Sequence, residues 1–181
     1  RLPGVILTGS AEQGEAPDLQ PLQSAFEEAL SGMIAMREIE GGHLREELVT
    51  RLAEVERLLG EIAQLAPGVA SQHRDTLRQR LADAGLPLPL DDERLVKEIA
   101  LFADRCDISE EIARATSHLK QFRSGLNNAE AVGRSLDFLA QEFFREFNTM
   151  GAKANDAALA HLVVAAKTEL EKIREQVQNI E

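Results

Sequence analysis

Apolar residues recur every three to four positions along almost the whole chain, and no stretch of useful length alternates with the period of two that a strand requires. From Pro17 to Leu65 the row runs through Leu22, Phe26, Leu30, Met33 and Ile34, then Leu44, Leu48, Leu52, Val55, Leu59 and Ile62. Such a stripe predicts an amphipathic helix of unusual length. Gly41-Gly42 interrupts it, at a cost of about 1 kcal/mol per glycine relative to alanine. The apolar phase resumes quickly, so one long helix is expected rather than two, ending at Pro67-Gly68. A shorter helix follows on Val69, His73, Leu77 and Leu81, and Gly85-Leu86-Pro87-Leu88-Pro89 breaks the pattern sharply.

After Pro89 there is no further proline. Rows on Leu95, Ile99 and Phe102, on Ile112, Leu119 and Phe122, on Val132, Leu136, Leu139 and Phe143, and on Leu159, Leu162, Ala166, Leu170, Ile173 and Val177 predict helices to the end. Gly125-Leu126-Asn127-Asn128 reads as a turn, and Asn148 to Asp156, with Gly151 inside it, as a polar break. The expected fold class is all-α: long helical arms plus a C-terminal helical bundle domain, with a hinge at residues 85–90. The expected organisation is a loop or linker over 1–17, a long-helix region over 18–88 and a C-terminal helical domain over 89–181. Pro3, Gly4, Gly9, Gly14 and Pro17 mark the first segment, and the absence of an initiator Met suggests a fragment lacking an N-terminal half. The long apolar stripe is wider than one helical partner covers, so an oligomer is expected.

With 181 residues the chain is long enough for one good core or two small ones. Lys and Arg number 20 against 31 Asp and Glu, a net charge of −11, which argues against coating nucleic acid by bulk charge. A local basic patch or a bound divalent ion remains a route to RNA. There is no Trp or Tyr and only 4% aromatic residues, which excludes a platform of aromatics for single-stranded bases. A single cysteine, Cys106, excludes an internal disulfide framework, and no apolar run approaches the roughly 20 residues of a membrane span. A reducing, cytoplasmic setting is expected.

No phosphate-binding glycine loop, His-Glu-x-x-His or Cys-x-x-Cys is present, so candidates come from charged clusters. Asp107-Ile108-Ser109-Glu110-Glu111 leads to Arg114 and His118. Glu111 and His118, seven apart, share a helix face and could hold a divalent ion or move a proton. Equally, Asp107 with Glu110 is a capping-box pattern and Glu110 with Arg114 an ordinary i,i+4 pair. Glu142 and Glu146, four apart, project together as hard oxygen ligands suited to Mg²⁺ or Mn²⁺, with Arg134 and Arg145 near enough in sequence to receive phosphates. The bland reading of this second cluster is a solvated helix face. In the third, Arg37-Glu38-Ile39-Glu40 abuts Gly41-Gly42-His43, where glycines permit close backbone approach or simply mark a helix joint. His73 and His161 fall on helical stripes and read as packing or surface residues.

These clusters carry a resemblance. Arg37-Glu38-Ile39-Glu40-Gly41, Ala103 to Glu111, Ser117-His118-Leu119, Val132-Gly133-Arg134, Leu136-Asp137-Phe138, Gln141-Glu142, Arg145 to Thr149 and the closing Ile173 to Glu181 are similar to the YicC-like family of bacterial endoribonucleases. The family commonly has Asn where Phe144 stands, a basic residue at Ser135 and Ser at Ala152. The resemblance implies a metal-dependent endoribonuclease, cytoplasmic and assembled as a ring-like homo-oligomer, a hexamer in the full-length family. It implies catalytic roles for Glu142, Glu146, His118, Asp107 and Glu111. Of these, Glu142, Glu146 and His118 would hold Mn²⁺ or Mg²⁺. Arg37, Arg105, Arg134, Arg145 and Lys153 would bind RNA. A helical assembly module or an RNA-binding adaptor without catalysis are the competing readings.

Overall fold

A computed structural model describes residues 18–86, 89, 92–128 and 133–180. Every regular element among them is helical, as the periodicity requires. The chain order is α1 (Gln20–Leu65), a 3₁₀ turn (Ala66–Gly68), α2 (Val69–Asp83), α3 (Glu93–Cys106), α4 (Ser109–Gly125), α5 (Gly133–Lys153) and α6 (Ala157–Val177). The expected linker over 1–17, Pro87, Leu88 and Leu90 of the expected hinge, Val132 and the closing Glu181 lie outside the described residues. Helix α1 runs through Gly41-Gly42 without interruption. A Cβ added at either glycine would meet nothing within 4 Å, so no close approach by the rest of this chain explains them.

By its contacts the chain divides between Glu40 and Gly41. In the first unit the described helical residues are all exposed, Leu22, Phe26, Leu30, Met33 and Ile34 included. The second unit, Gly41–Glu181, contains the core, and the boundary expected at residues 88 and 89 falls inside it. One cluster joins Leu48, Leu52, Val55, Leu59 and Ile62 of α1 to Leu119 and Phe122 of α4, Phe143 and Phe147 of α5, and Leu170 and Ile173 of α6. Polar contacts reinforce it. Arg45 donates to Leu126 O and to Asn127 Oδ1, Arg51 reaches Glu169 at 3.2 Å, and Arg123 forks onto both oxygens of Glu56.

Helix ends follow local chemistry. The C-terminus of α2 closes in a Schellman arrangement: Leu86 N–H donates to Leu81 O, Gly85 N–H donates to Ala82 O, and Gly85 adopts φ 73°. Asp92 caps α3 by accepting from the backbone N–H groups of Arg94 and Leu95, and Asp156 caps α6 by accepting from Leu159. The polar break expected over Asn148 to Asp156 is far shorter than that. Helix α5 continues through Asn148, Thr149 and Gly151 to Lys153, because fully buried Phe147 and Met150 keep its apolar stripe in register. At the other end of α5, Gly133 lies so close to Ile180 O that any Cβ there would clash with backbone.

Candidate functional site

Helices α4 and α5 run antiparallel along a shared seam. Gly125 meets Leu136 near one end, the His118 ring meets the Phe143 ring edge-on at 5.8 Å in the middle, and Lys153 reaches Glu111 at the other end. Of the residues singled out from the sequence, this seam brings together Glu111, His118, Glu146 and Lys153. Glu111 and Glu146 are the buried charged residues of the described chain, 5% and 7% exposed. Burial of a carboxylate is costly unless it is paired, and each has a cation. Glu111 Oε1 accepts from Lys153 Nζ at 2.7 Å, and Glu146 Oε1 lies 3.8 Å from Arg114.

Lys153 also donates to Asp107 O at 2.9 Å, tying the end of α5 to the α3–α4 joint. The hydrogen bond that Lys153 donates to Glu111, with desolvation opposing it, raises the Lys153 pKa. The Lys153 ammonium, expected on RNA, is thus engaged inside this chain. Asp107 Oδ1 accepts from the Ser109 hydroxyl at 2.6 Å and from the Ser109 N–H at 2.9 Å, and these bonds hold its carboxyl below the usual range. The capping-box pattern is half realised: Asp107 serves the first turn of α4, while Glu110 pairs with Arg114 instead.

Two buried polar atoms among the described residues lack a partner: Glu111 Oε2 and His118 Nδ1, both on α4. Native interiors rarely leave such atoms unsatisfied, so each calls for a water, an ion, a ligand or a catalytic role. Glu142 is half-buried and paired with Arg145 at 2.6 Å. No group of three or more His, Cys, Asp or Glu side chains among the described residues is arranged to hold a metal ion. Glu142, Glu146 and His118 therefore do not form a ready three-ligand centre within the chain. Their donor types suit Mn²⁺ or Mg²⁺, but guanidinium groups stand against both carboxylates.

The remaining cations are dispersed. Arg134 is exposed in the first turn of α5, Arg145 is exposed three turns further on, and Arg105 lies exposed on α3, donating to Leu101 O. Arg37 belongs to the first unit. Arg114 was legible only as an i,i+4 partner of Glu110. Its contact with Glu146 crosses between helices, and nothing local in the sequence encodes it. An open depression lined by Glu47, Arg51, Glu54, Arg57 and Glu169 is a weaker candidate, since its charges are consumed in mutual ion pairs.

The α4–α5 seam lies within the part of the chain, residues 62–181, that matches the family model described as Endoribonuclease YicC-like, C-terminal. A Clostridioides difficile protein named Probable endoribonuclease YicC is 37% identical over 182 aligned residues, covering all of this chain and 62% of that relative. A Haemophilus influenzae protein of the same name is 37% identical over 181 residues, with the same coverage. The chain thus spans about three fifths of the length of these curated relatives.

Proposed function

Because the chain belongs to the YicC-like endoribonuclease family, we propose that it cleaves RNA internally and that the α4–α5 seam carries the chemistry. The observations behind this placement are the two unpartnered buried atoms on α4, Glu111 Oε2 and His118 Nδ1, and the buried carboxylate of Glu146 on α5. An imidazole in such a seam is suited to move a proton to or from a phosphodiester oxygen, a contribution of roughly 10²–10⁴-fold. Arg114, Arg134 and Arg145 supply guanidinium forks for the phosphate backbone. Glu110 holds Arg114, with the buried Glu146 carboxylate 3.8 Å away, and Glu142 orients Arg145. A divalent ion at Glu142 would have to displace Arg145.

The outer faces of the two helices favour an anionic substrate. None of the exposed residues of α5 is acidic, and Glu110, the exposed acid of α4, is paired with Arg114. In a chain with 31 carboxylates and a net charge of −11, this is a local basic surface. Assembly into a homo-oligomer accompanies the proposal. The exposed apolar row from Leu22 to Ile34 supports it, since another copy would remove that surface from water.

The test is cleavage of an end-labelled RNA by the purified protein and by His118→Ala, Glu146→Gln and Glu142→Gln, each beside its melting temperature. His118→Ala and Glu146→Gln should lose cleavage at least tenfold while remaining folded, and Glu142→Gln should lose less. Near-wild-type cleavage by all three removes the seam from the chemistry. Cleavage abolished by EDTA and restored by Mn²⁺ would instead put an ion at these carboxylates.

A further inference from the structure

Six of the seven phenylalanines lie in the second unit, and five of those six are buried or half-buried: Phe102, Phe122, Phe143, Phe144 and Phe147. Phe138 alone among them is exposed, at 59%. Its position is specific. Arg134, Phe138, Gln141, Arg145 and Asn148 recur at three- to four-residue spacing, so they form one row along the outer face of α5. From Arg134 to Arg145 that row spans about 16 Å at 1.5 Å per residue. Along the row the ring thus stands between two guanidinium groups, with the Gln141 amide between it and Arg145. The carboxylates of α5 are turned away from solvent or spent: Asp137 accepts from Gln141 and Arg174, Glu142 pairs with Arg145, and Glu146 is buried.

We propose that Phe138 is a base-stacking residue for single-stranded RNA, with Arg134 and Arg145 holding the phosphates on either side. This rests on the RNA reading of the α4–α5 seam and adds the residue that meets a base rather than the backbone. Every nucleobase offers a π-face, so one ring between two cations accepts unstructured RNA with little regard to sequence. The poverty of aromatics excludes an extended stacking platform, but one placed ring needs no second. The occupant is RNA rather than an apolar partner because the row around Phe138 is cationic and polar, not apolar.

The test uses the 181-residue chain and two fluorescein-labelled probes of about twelve nucleotides, within the usual site range for single-stranded binding. One is oligoadenylate and the other an abasic oligomer of the same length. Phe138→Ala and Phe138→Leu should weaken oligoadenylate binding roughly 5- to 150-fold, the loss of one base stack, and leave abasic binding unchanged. Phe138→Trp should bind oligoadenylate at least as well as wild type. Since the chain has no other Trp, its emission should quench on binding. Unchanged oligoadenylate affinity in Phe138→Ala, or equal weakening for both probes, overturns the stacking role. So does a smaller light-scattering mass for Phe138→Ala than for wild type, which would assign the ring to a contact between copies. Failure of the wild-type chain to bind either probe overturns the RNA reading itself together with this proposal.

Discussion

The row from Leu22 to Ile34 and the row from Leu48 to Ile62 lie on the same helix, and both are built of large apolar residues at helical spacing. Every residue of the first row is exposed, with Phe26 at 68%, whereas Leu48, Leu52, Val55 and Ile62 are completely buried. Period therefore measures a capacity for burial, while burial itself depends on what comes to cover the stripe. The second row is covered by α4, α5 and α6 of its own chain. No described residue of the first unit covers the first row, which is why the oligomer proposal rests there and the cleavage proposal does not.

The largest expected effect separates the two rows directly. Leu52→Ala should destabilise by about 2–5 kcal/mol through lost burial and a residual cavity, whereas Phe26→Ala should change stability by no more than about 0.5 kcal/mol in dilute protein. Chemical denaturation of both variants checks this. Equal losses would mean that the first row is covered in solution, and a concentration-dependent loss in Phe26→Ala alone would identify the cover as another copy.

Next comes the buried charge of the second unit, which has no counterpart in the first. Lys153→Met strands the Glu111 carboxylate, and an unpaired buried group of that kind costs about 1–3 kcal/mol. Glu111→Leu in the same background should recover most of the loss, because replacing both partners removes the desolvation penalty with the bond. A double-mutant cycle that shows no coupling would mean that Lys153 is free for another partner.

Glycines sharpen the contrast with opposite signs. At Gly41 and Gly42 a Cβ meets open space within a helix interior, so Gly41→Ala and Gly42→Ala should each stabilise by about 1 kcal/mol. Gly133→Ala should destabilise, because its Cβ would be driven into the Ile180 carbonyl. Melting temperatures of the three variants decide it. Loss of stability at Gly41 or Gly42 would show that another backbone approaches there.

The smallest effect is a pH dependence. Asp107 ionises below its ordinary range because Ser109 bonds the carboxylate form. Its contribution is present above the unfolded carboxyl pKa and lost as pH falls through the lower folded value. The melting-temperature gap between wild type and Asp107→Asn should therefore be constant near neutrality and vanish only below roughly pH 4. A gap unchanged at lower pH would assign the effect to shape rather than charge.

The candidate site was partly legible. Glu111 and His118 stand seven apart on an evident helix, and the structure does put both on the seam. Two seam contacts, of Lys153 and of Arg114, were not legible for a common reason. Their decisive partners, Glu111 for the first and Glu146 for the second, lie 42 and 32 residues away, on another helix. The run from Asn148 to Asp156 looked like a loop because its polar residues dominate the composition. Met150, one apolar residue in the right phase, keeps it helical as far as Lys153.

Sequence alone determined that the chain is helical, through its apolar period, and it set the Gly85 stop and the caps at Asp92 and Asp156, whose interactions span no more than five residues. It also determined that the chain would be acidic, poor in aromatics and dependent on burying aliphatic stripes. Only the tertiary structure decided which stripe is covered, which carboxylates leave water, which cation neutralises each, and which phenylalanine stays outside. Those outcomes come from the summed burial of elements far apart in the chain. Each side chain's cost or gain there is set by neighbours that its own local sequence does not contain.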